Sequence, residues 1–589
     1  MEELDIPPSI EELENAIKSL KNGKAPGKDG IPSEIIKAGK DSTLMQHFHE
    51  LLLKCWDEGA VPQDMRDANI ITLYKNKGDR SDCNNYRGIS LLSIVGKAYA
   101  RVVLKKLQAL AERIYPEAQC GFRSRRSTID MIFSVRQLQE KCREQQLPLY
   151  LAFIDLTKAF DLVSRSGLFI LLEKIGCPPK LRSIIISFHE GMQGTVQYDG
   201  SSSDPFPIKS GVKQGCVLAP TLFGIFFSLL LSYAFSHSQD GVFIHTRSDG
   251  NLFNLQWLKA KTKIRKILIR EMLFADDAAL VAHSEEDLQR LIDCFSHACT
   301  DFGLTISIKK TNIMGQSVPN APHITINNHE LEVVKDFTYL GSTISSNLSL
   351  EAELSKRIGK ASTTMARLSN RVWENSMLSI CTKMKVYQAC VLSTLLYSSE
   401  AWPLYTHQEK QLNAFHLRNL RRILHIKWHD HVSNKKVLAT AGMPSMYAIL
   451  AQRRLRWIGH VRRMEDGRIP KDLLYGEMAI GSRKRGRPAL RYKDVCKQDL
   501  KNCDINIAAW TTLAAERNDW KVAVKDGCKL LEENRFLLQE EKRERQKQRT
   551  AETCSGTHAT YTCPKCARVC LSKIGLFSHS KSCKNKDNP

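Results

Sequence analysis

Between residues 149 and 308 the spacing of hydrophobic positions changes several times, and each change marks a predicted element. LYLAFID (149–155) is an unbroken apolar run ending on a carboxylate, the pattern of a strand buried on both faces. Helical periodicity follows to about His189, TVQYDG (195–200) reads as a strand entering a turn, and the apolar stretch from Ala219 to Phe235 reads as a core helix. EMLFADDAALVA (271–282) sets two aspartates between short apolar segments, which predicts a β-hairpin carrying its charges at the tip. Ser284 and Asp287 cap a helix with Leu288, Leu291, Ile292 and Phe295 on one face, and LTISI (304–308) alternates as a strand. The order is β-α-β-β-α-β, an antiparallel sheet backed by helices, and the fold class is α+β.

Outside this segment the pattern is mainly helical. The opening MEELDIPPSIEELENAIKSL is acidic and amphipathic, with Ser9 and Glu12 spaced as a capping box and Gly23 placed to stop the helix. It reads as a folded helix, and no secretory signal is expected. The run from Val217 to Phe235 approaches membrane-spanning length, but Pro220, Thr221, Ser228 and Ser232 interrupt it, so a buried helix and no membrane partner are expected. Past residue 350 the helices become rich in Arg and Lys. Between Ala451 and Lys493 thirteen basic residues face four acidic ones, and EEKRERQKQR (540–549) reads as a solvated helix or linker. No tandem repeat is present in the sequence.

Composition adds two constraints. At 589 residues the chain exceeds one compact core, so several lobes are expected. The formal charge of +23 calls for a polyanionic partner, nucleic acid first and anionic membrane second. The 18 cysteines are scattered through predicted helices and strands, which fits reduced thiols in the nucleus and cytoplasm.

The chemistry centres on carboxylates. Asp155 ends a buried strand, while Asp276 and Asp277 sit at a hairpin tip. Taken singly, each reads more readily as a solvated strand-end or turn charge. Together they suit a pair of divalent cations serving phosphoryl transfer, because buried carboxylates need counter-charge. At this point the sequence resembles the reverse transcriptases of non-LTR retrotransposons, of the LINE type and most nearly RTE-like. FIDLTKAFD (153–161) resembles their motif A, SGVKQGCVLAPTLF (210–223) motif B, FADD (274–277) motif C and GLTISIKKT (303–311) motif D. GKAPGKDGIP (23–32), NYRGISLL (85–92) and GFRSRRSTID (121–130) resemble the fingers motifs, and YLGSTIS (339–345) the segment after the palm.

The resemblance implies magnesium ligation by Asp155 and Asp276, two ions in all, with Asp277 supporting the site. Phe160 matches the steric gate that favours deoxynucleotides, although a ring there also reads as core. Gln214 and Gly215 match the turn that approaches template and incoming base. Arg87, with Lys75 or Lys77, matches the cations that hold the triphosphate. Lys310 matches the group that protonates pyrophosphate, or is a solvated lysine. Arg123, Arg125 and Arg126 would touch template backbone, or form an exposed basic face. Gly23 to Lys28 resembles a P-loop, but the spacing is short and Asp29 stands where Ser or Thr should bind magnesium, so an NTPase is rejected.

Near the C-terminus, Cys563, Cys566, His579 and Cys583 have the ligand spacing of a ββα zinc finger holding one structural zinc, with Tyr561 and Leu576 as its small core and Cys570 in place of the usual Phe. RKRGRP (483–488) resembles an AT-hook but reads better as a basic loop or nuclear-localisation patch. RRLRWIGHVRRM (453–464) interleaves Trp457 with cations, and an amphipathic helix burying the tryptophan is preferred over a nucleic-acid face.

The expected architecture is a right-hand polymerase: an N-terminal helix (1–19), fingers (20–148), palm (149–345), helical thumb (346–450), basic helical connector (451–550) and zinc-finger tail (551–589). The expected function is RNA-directed DNA polymerisation on an RNA template from a DNA primer or target, using deoxynucleoside triphosphates. The expected chain carries no endonuclease. The competing readings are an inactive or domesticated RNA- or DNA-binding protein, and an RNA polymerase, for which Gly rather than Ala275 would precede the aspartate pair.

Overall fold

The computed structural model describes residues 2–40, 42–213, 215–247, 252–253, 262–481, 489–555, 561–564, 566–570 and 572–583. The chain divides into two compact units. The first comprises Met1–Arg357, Leu396–Pro403 and Met464–Lys493; the second comprises Ile358–Leu395, Leu404–Arg463 and Asp494–Pro589.

Two sheets organise the first unit. Strands β1 (Ala68–Tyr74) and β2 (Tyr86–Leu91) form an antiparallel hairpin with Tyr74 opposite Tyr86. Strand β3 (Leu149–Ile154) is buried at every position and is central to the other sheet, whereas β4 (Gln193–Tyr198) joins β1 in parallel. Asp199 and Gly200, at φ of +47° and +79°, make the turn expected after β4. The hairpin of β5 (Glu271–Phe274) and β6 (Asp277–Ala282) lies beside β3, and β7 (Asn312–Gln316) and β8 (Glu332–Val333) complete that five-stranded sheet in the order β8-β7-β3-β6-β5. An all-apolar β3 follows from this place, since it is paired on both edges by β6 and β7.

Most expected elements form for the expected reasons. Ser9 and Glu12 close a reciprocal capping box on the helix Ile10–Lys18. Ser284 accepts a hydrogen bond from the Asp287 amide, and Leu288, Leu291, Ile292 and Phe295 of that helix are buried. The apolar run forms a helix, Ala219–Phe235, inside the core, and among the described residues no helix is long and apolar enough to cross a membrane.

Three expectations are corrected. LTISI (304–308) is not a strand: Ile306 makes an isolated bridge to Leu156, the amides of Thr157 and Ser307 bond across this contact, and a 3-10 turn begins at Ile308. The ladder with β3 is taken instead by β7. Gly23 does not end the first helix, which stops at Lys18 with Ser19 as its cap. Finally, residues 451–550 are not one connector, because Met464–Lys493 belongs to the first unit.

The reason for the last correction lies in helix α1 (Thr128–Gln145), which buries Asp130, Arg136, Gln139, Glu140 and Lys141. Buried polar groups require partners. Arg468 Nη2 donates to Asp130 at 2.7 Å, Lys141 Nζ to the Gly476 carbonyl at 2.6 Å, and the Tyr492 amide to Glu140 at 2.8 Å. Stripping one member from a buried pair costs about 3–5 kcal/mol. The described residues of this segment, 464–481 and 489–493, therefore complete the core of the first unit.

In the second unit, helices α2 (Met446–Arg462) and α3 (Arg517–Ser555) pack closely. A Cβ on Gly459 would lie 2.1 Å from Trp520 Nε1, which itself donates to the Leu455 carbonyl at 3.0 Å. Trp457 is 7% exposed, as the amphipathic-helix reading expects. Arg454 is buried against Asp499 at 2.6 Å and Glu409 at 3.4 Å. The segment 540–549 is helical, and its residues through Arg549 are exposed. RKRGRP lies outside the described residues.

Candidate functional site: a three-carboxylate cluster and a Cys/His cluster

The two ladders of β3 and the β5–β6 hairpin bring the carboxylates together. Ala278 pairs with Ile154 and Asp277 with Phe274, so one step further along the β3–β6 ladder Asp277 faces Asp155, with Asp276 in the two-residue tip beside them. Burial is the largest influence on Asp276 and raises its pKa, with a further rise from the Asp155 charge; Arg87 and Lys310 act in the opposite direction. Asp277 reaches solvent at its surface, yet the protein around it and the charges of Asp276 and Asp155 push it up to about 6. Three carboxylates thus crowd one another with incomplete neutralisation. Lys310 Nζ donates to Asp155 Oδ2 at 2.8 Å from the turn after Ile308. The set fits divalent cations, which prefer carboxylate oxygens and would remove the repulsion.

The hairpin tip has a support that the sequence did not reveal. Ala275 adopts φ of +58°, a left-handed conformation that costs a non-glycine residue about 1–2 kcal/mol. Gln119, fully buried, grips it: Oε1 accepts from the Ala275 amide at 2.9 Å and Nε2 donates to the Ala275 carbonyl at 3.2 Å. Oε1 also accepts from the Gly121 amide at 2.8 Å, and a Cβ on Gly121 would stand 2.1 Å from the Ala275 nitrogen. Glycine is required there by this approach. The residues before it pair along the outer edge of β5, where the Cys120 amide donates to the Leu273 carbonyl at 2.9 Å. A glutamine in a loop carries no periodicity, so only the adjoining Gly-Phe-Arg motif hinted at the segment.

The other expected residues divide by placement. Phe160 is half-buried, stacked on Phe223 with ring centres 4.4 Å apart and edge-on to Phe122 at 6.4 Å. It is thus anchored on the core with a face near the surface. Gly215, at φ of +105°, would place a Cβ 2.9 Å from the Ser90 carbonyl on β2; Gln214 lies outside the described residues. Arg87, exposed on β2, is near enough to lower the pKa of Asp276. Lys75 and Lys77 are exposed in the β1–β2 turn, and Lys75 Nζ is tied to the Asn84 carbonyl at 2.8 Å. The arginine trio needs revision. Arg123 pairs with Glu112 at 2.7 Å with its side chain 7% exposed, and Arg126 pairs with Glu117 with its side chain 9% exposed. Both are consumed inside the unit, and Arg125 is the exposed member.

At the other end of the chain, Tyr561–Thr562 pairs with Val569–Cys570 as a short hairpin, followed by the helix Lys573–Ser582. The ligand atoms of Cys563, Cys566, His579 and Cys583 all lie within 4.8 Å of one another, with Cys566 Sγ 3.0 Å from His579 Nε2. Hydrogen bonding with Cys566 is the largest influence on the Cys583 thiol, which stands at about 11. Three cysteines and a histidine at such separations are a donor set for a tetrahedral soft-ligand metal.

The Gln119 clamp predicts a local effect. In Gln119→Leu the Ala275 amide loses its acceptor, worth about 1–3 kcal/mol when left buried and unpaired. Its hydrogen-exchange protection is expected to fall by about tenfold or more while that of Leu280 is unchanged. Equal protection at Ala275 in both proteins would remove the clamp.

Comparison with known proteins bears on the same region. Residues 74–344 match the model of the reverse transcriptase (RNA-dependent DNA polymerase) family. The RNA-directed DNA polymerase from mobile element jockey of Drosophila melanogaster is 26% identical over 72% of this chain and 44% of its own length. The 149 kDa protein of transposon TX1 from Xenopus laevis is 28% identical over 50% of this chain and 21% of that protein, and the Pol polyprotein of type-1 retrotransposable element R2 from Popillia japonica is 30% identical over 38% and 30%. The chain spans less than half the length of these relatives. The matched segment contains the β1–β2 hairpin's cations, the three aspartates and Lys310. That segment is similar to the reverse transcriptase domains of non-LTR retrotransposons of the LINE type.

Proposed function

We propose that this chain is an RNA-directed DNA polymerase that extends a DNA primer along an RNA template with deoxynucleoside triphosphates. The observation that carries the reading is the convergence of Asp155, Asp276 and Asp277 at one end of the central sheet, inside the segment matched to the reverse transcriptase family. Asp155 and Asp276 would hold two magnesium ions, with Asp277 in support. When bound there, such ions would lower the pKa of the primer 3′-hydroxyl and offset the charge of the triphosphate and of the departing pyrophosphate.

The chain's own groups take the remaining tasks. Arg87 presents a guanidinium beside Asp276 to orient the phosphates, and an arginine fork suits their oxygens. Lys310, at hydrogen-bond distance from Asp155, holds a proton that can pass to pyrophosphate. Phe160, braced by Phe223, sets a fixed wall against a ribose 2′-hydroxyl. Gly215 keeps backbone close to β2, where template and incoming base would meet it. Arg125 is the template-backbone contact that remains from the arginine trio. The right-hand arrangement of fingers, palm and thumb belongs to this reading, as does a structural zinc in the Cys563, Cys566, His579 and Cys583 cluster.

Primer extension and metal analysis test this reading. In primer extension on an RNA template with magnesium, wild-type protein is expected to incorporate deoxynucleotides, and Asp276→Asn to lose more than about a hundredfold in rate. Phe160→Ala is expected to raise ribonucleotide use relative to deoxynucleotide use by about tenfold to a hundredfold. No extension by folded wild-type protein, or full activity in Asp276→Asn, would refute the polymerase. For the metal, elemental analysis is expected to give one zinc per chain, lost in Cys566→Ser, and chelation should unfold the last segment alone. A finger whose structure survives chelation would contradict that ligand set.

A further inference from the structure

A cavity of about 570 Å³ in the second unit is lined by Arg456 and His460 of α2, by Arg463 at its C-terminal cap, and by Arg517 and Lys521 at the start of α3, over the buried Trp520. It has room for several small polar groups, a single water taking about 30 Å³. Among the described residues no carboxylate lines it, and none of Arg456, Arg517 and Lys521 has an acidic partner at ion-pair distance. The same helix treats a buried cation differently: Arg454 is answered by both Asp499 and Glu409. Among the described residues, charge has therefore been neutralised at Arg454 and left without an acidic partner at Arg456.

The crowding is built into the frame. The close approach of Gly459 to Trp520, and the hydrogen bond from Trp520 to Leu455, hold the two helices together, so neither set of cations can withdraw by moving its helix. Arg463 is further fixed by donating to the Ala514 carbonyl at 2.6 Å; burial lowers its pKa, and the Arg517 charge lowers it further. Like charges assembled on a rigid frame repel, and an anion with several separated charges relieves that repulsion best.

We infer that this cavity binds the phosphodiester backbone of a nucleic-acid strand, through Arg456, Arg463, Arg517 and Lys521 and without reading its bases. A strand offers phosphates at regular intervals, which matches cations distributed around a cavity rather than focused on one point. The cavity floor is a buried indole and its rim is charged, so it lacks the apolar border that an acyl chain would need. The inference rests on the reading that the chain handles nucleic acid, and it is independent of whether the three carboxylates are active.

The test uses the full chain and a fluorescein-labelled single-stranded RNA, with anisotropy followed across a potassium chloride series. In the triple variant Arg456→Gln, Arg517→Gln, Lys521→Gln, affinity at low salt is expected to fall at least about tenfold. The slope of log K against log salt should shrink by about 2, since each single-strand phosphate contact contributes about 0.7. Arg456→Lys with Arg517→Lys is expected to keep the wild-type slope. A control that removes as much charge elsewhere on α3, Lys525→Gln, Lys529→Gln, Lys542→Gln, should lose less than about threefold. The inference is overturned if the first triple variant keeps wild-type affinity and slope, or if the control loses as much. It is also overturned if the triple variant loses only pyrophosphate or phosphatidylserine-vesicle binding and RNA binding is untouched. Primer extension is read separately: a wild type that binds RNA here but extends no primer would cost the polymerase reading and leave this site standing.

Discussion

Repulsion among three carboxylates is the constraint around which the first unit is built. Strand β3 ends on Asp155, the neighbouring hairpin turns at Asp276, and the ladder register sets Asp277 opposite Asp155. Left to solvent, these groups would separate. The backbone hydrogen bonds of a central, fully buried strand do not allow it, and burial, with the charges of Asp276 and Asp155 added, pushes Asp277 up to about 6. Such an arrangement is stable only because the sheet beneath it is large and apolar, and it gains most from a counter-charge that arrives as cations.

The rest of the unit maintains that register. Gln119 holds Ala275 in a conformation alanine resists, Gly121 lets the loop come close enough for it to do so, and the loop covers the edge of β5. Helix α1 carries buried charged groups, of which Asp130, Glu140 and Lys141 find their partners in Arg468, Tyr492 and Gly476, more than 300 positions away. The first unit is consequently continuous in space and interrupted in sequence. In the second unit the buried Arg454 is paired, whereas Arg456, Arg517 and Lys521 around a cavity have no acidic partner among the described residues.

Much of this was legible in the residues. The strand LYLAFI, the hairpin EMLFADDAALVA and the capped helix after it each announce themselves by a local period, and the aspartates' places at a strand end and a turn follow from those elements. The Cys/His spacing was legible for the same reason, because a ββα module is set by contacts within about twenty residues. What escaped depends on distant partners. LTISI alternates like a strand, but β7 competes for the same edge of β3. Arg123 and Arg126 look like a basic face until Glu112 and Glu117 fold back on them. Gln119 and the return of residues 464–493 have no local signature at all, since their meaning lies in atoms far along the chain.

The claim on which most depends is that Asp155 and Asp276 jointly hold divalent cations. Anomalous diffraction from crystals soaked in manganese tests it directly, because manganese takes the same oxygen ligands as magnesium and scatters distinctively. Density for manganese in contact with both carboxylates in the wild type, and lost in crystals of Asp276→Asn, is the predicted result. Carboxylates that diverge, or a manganese peak that ignores them, would contradict the account.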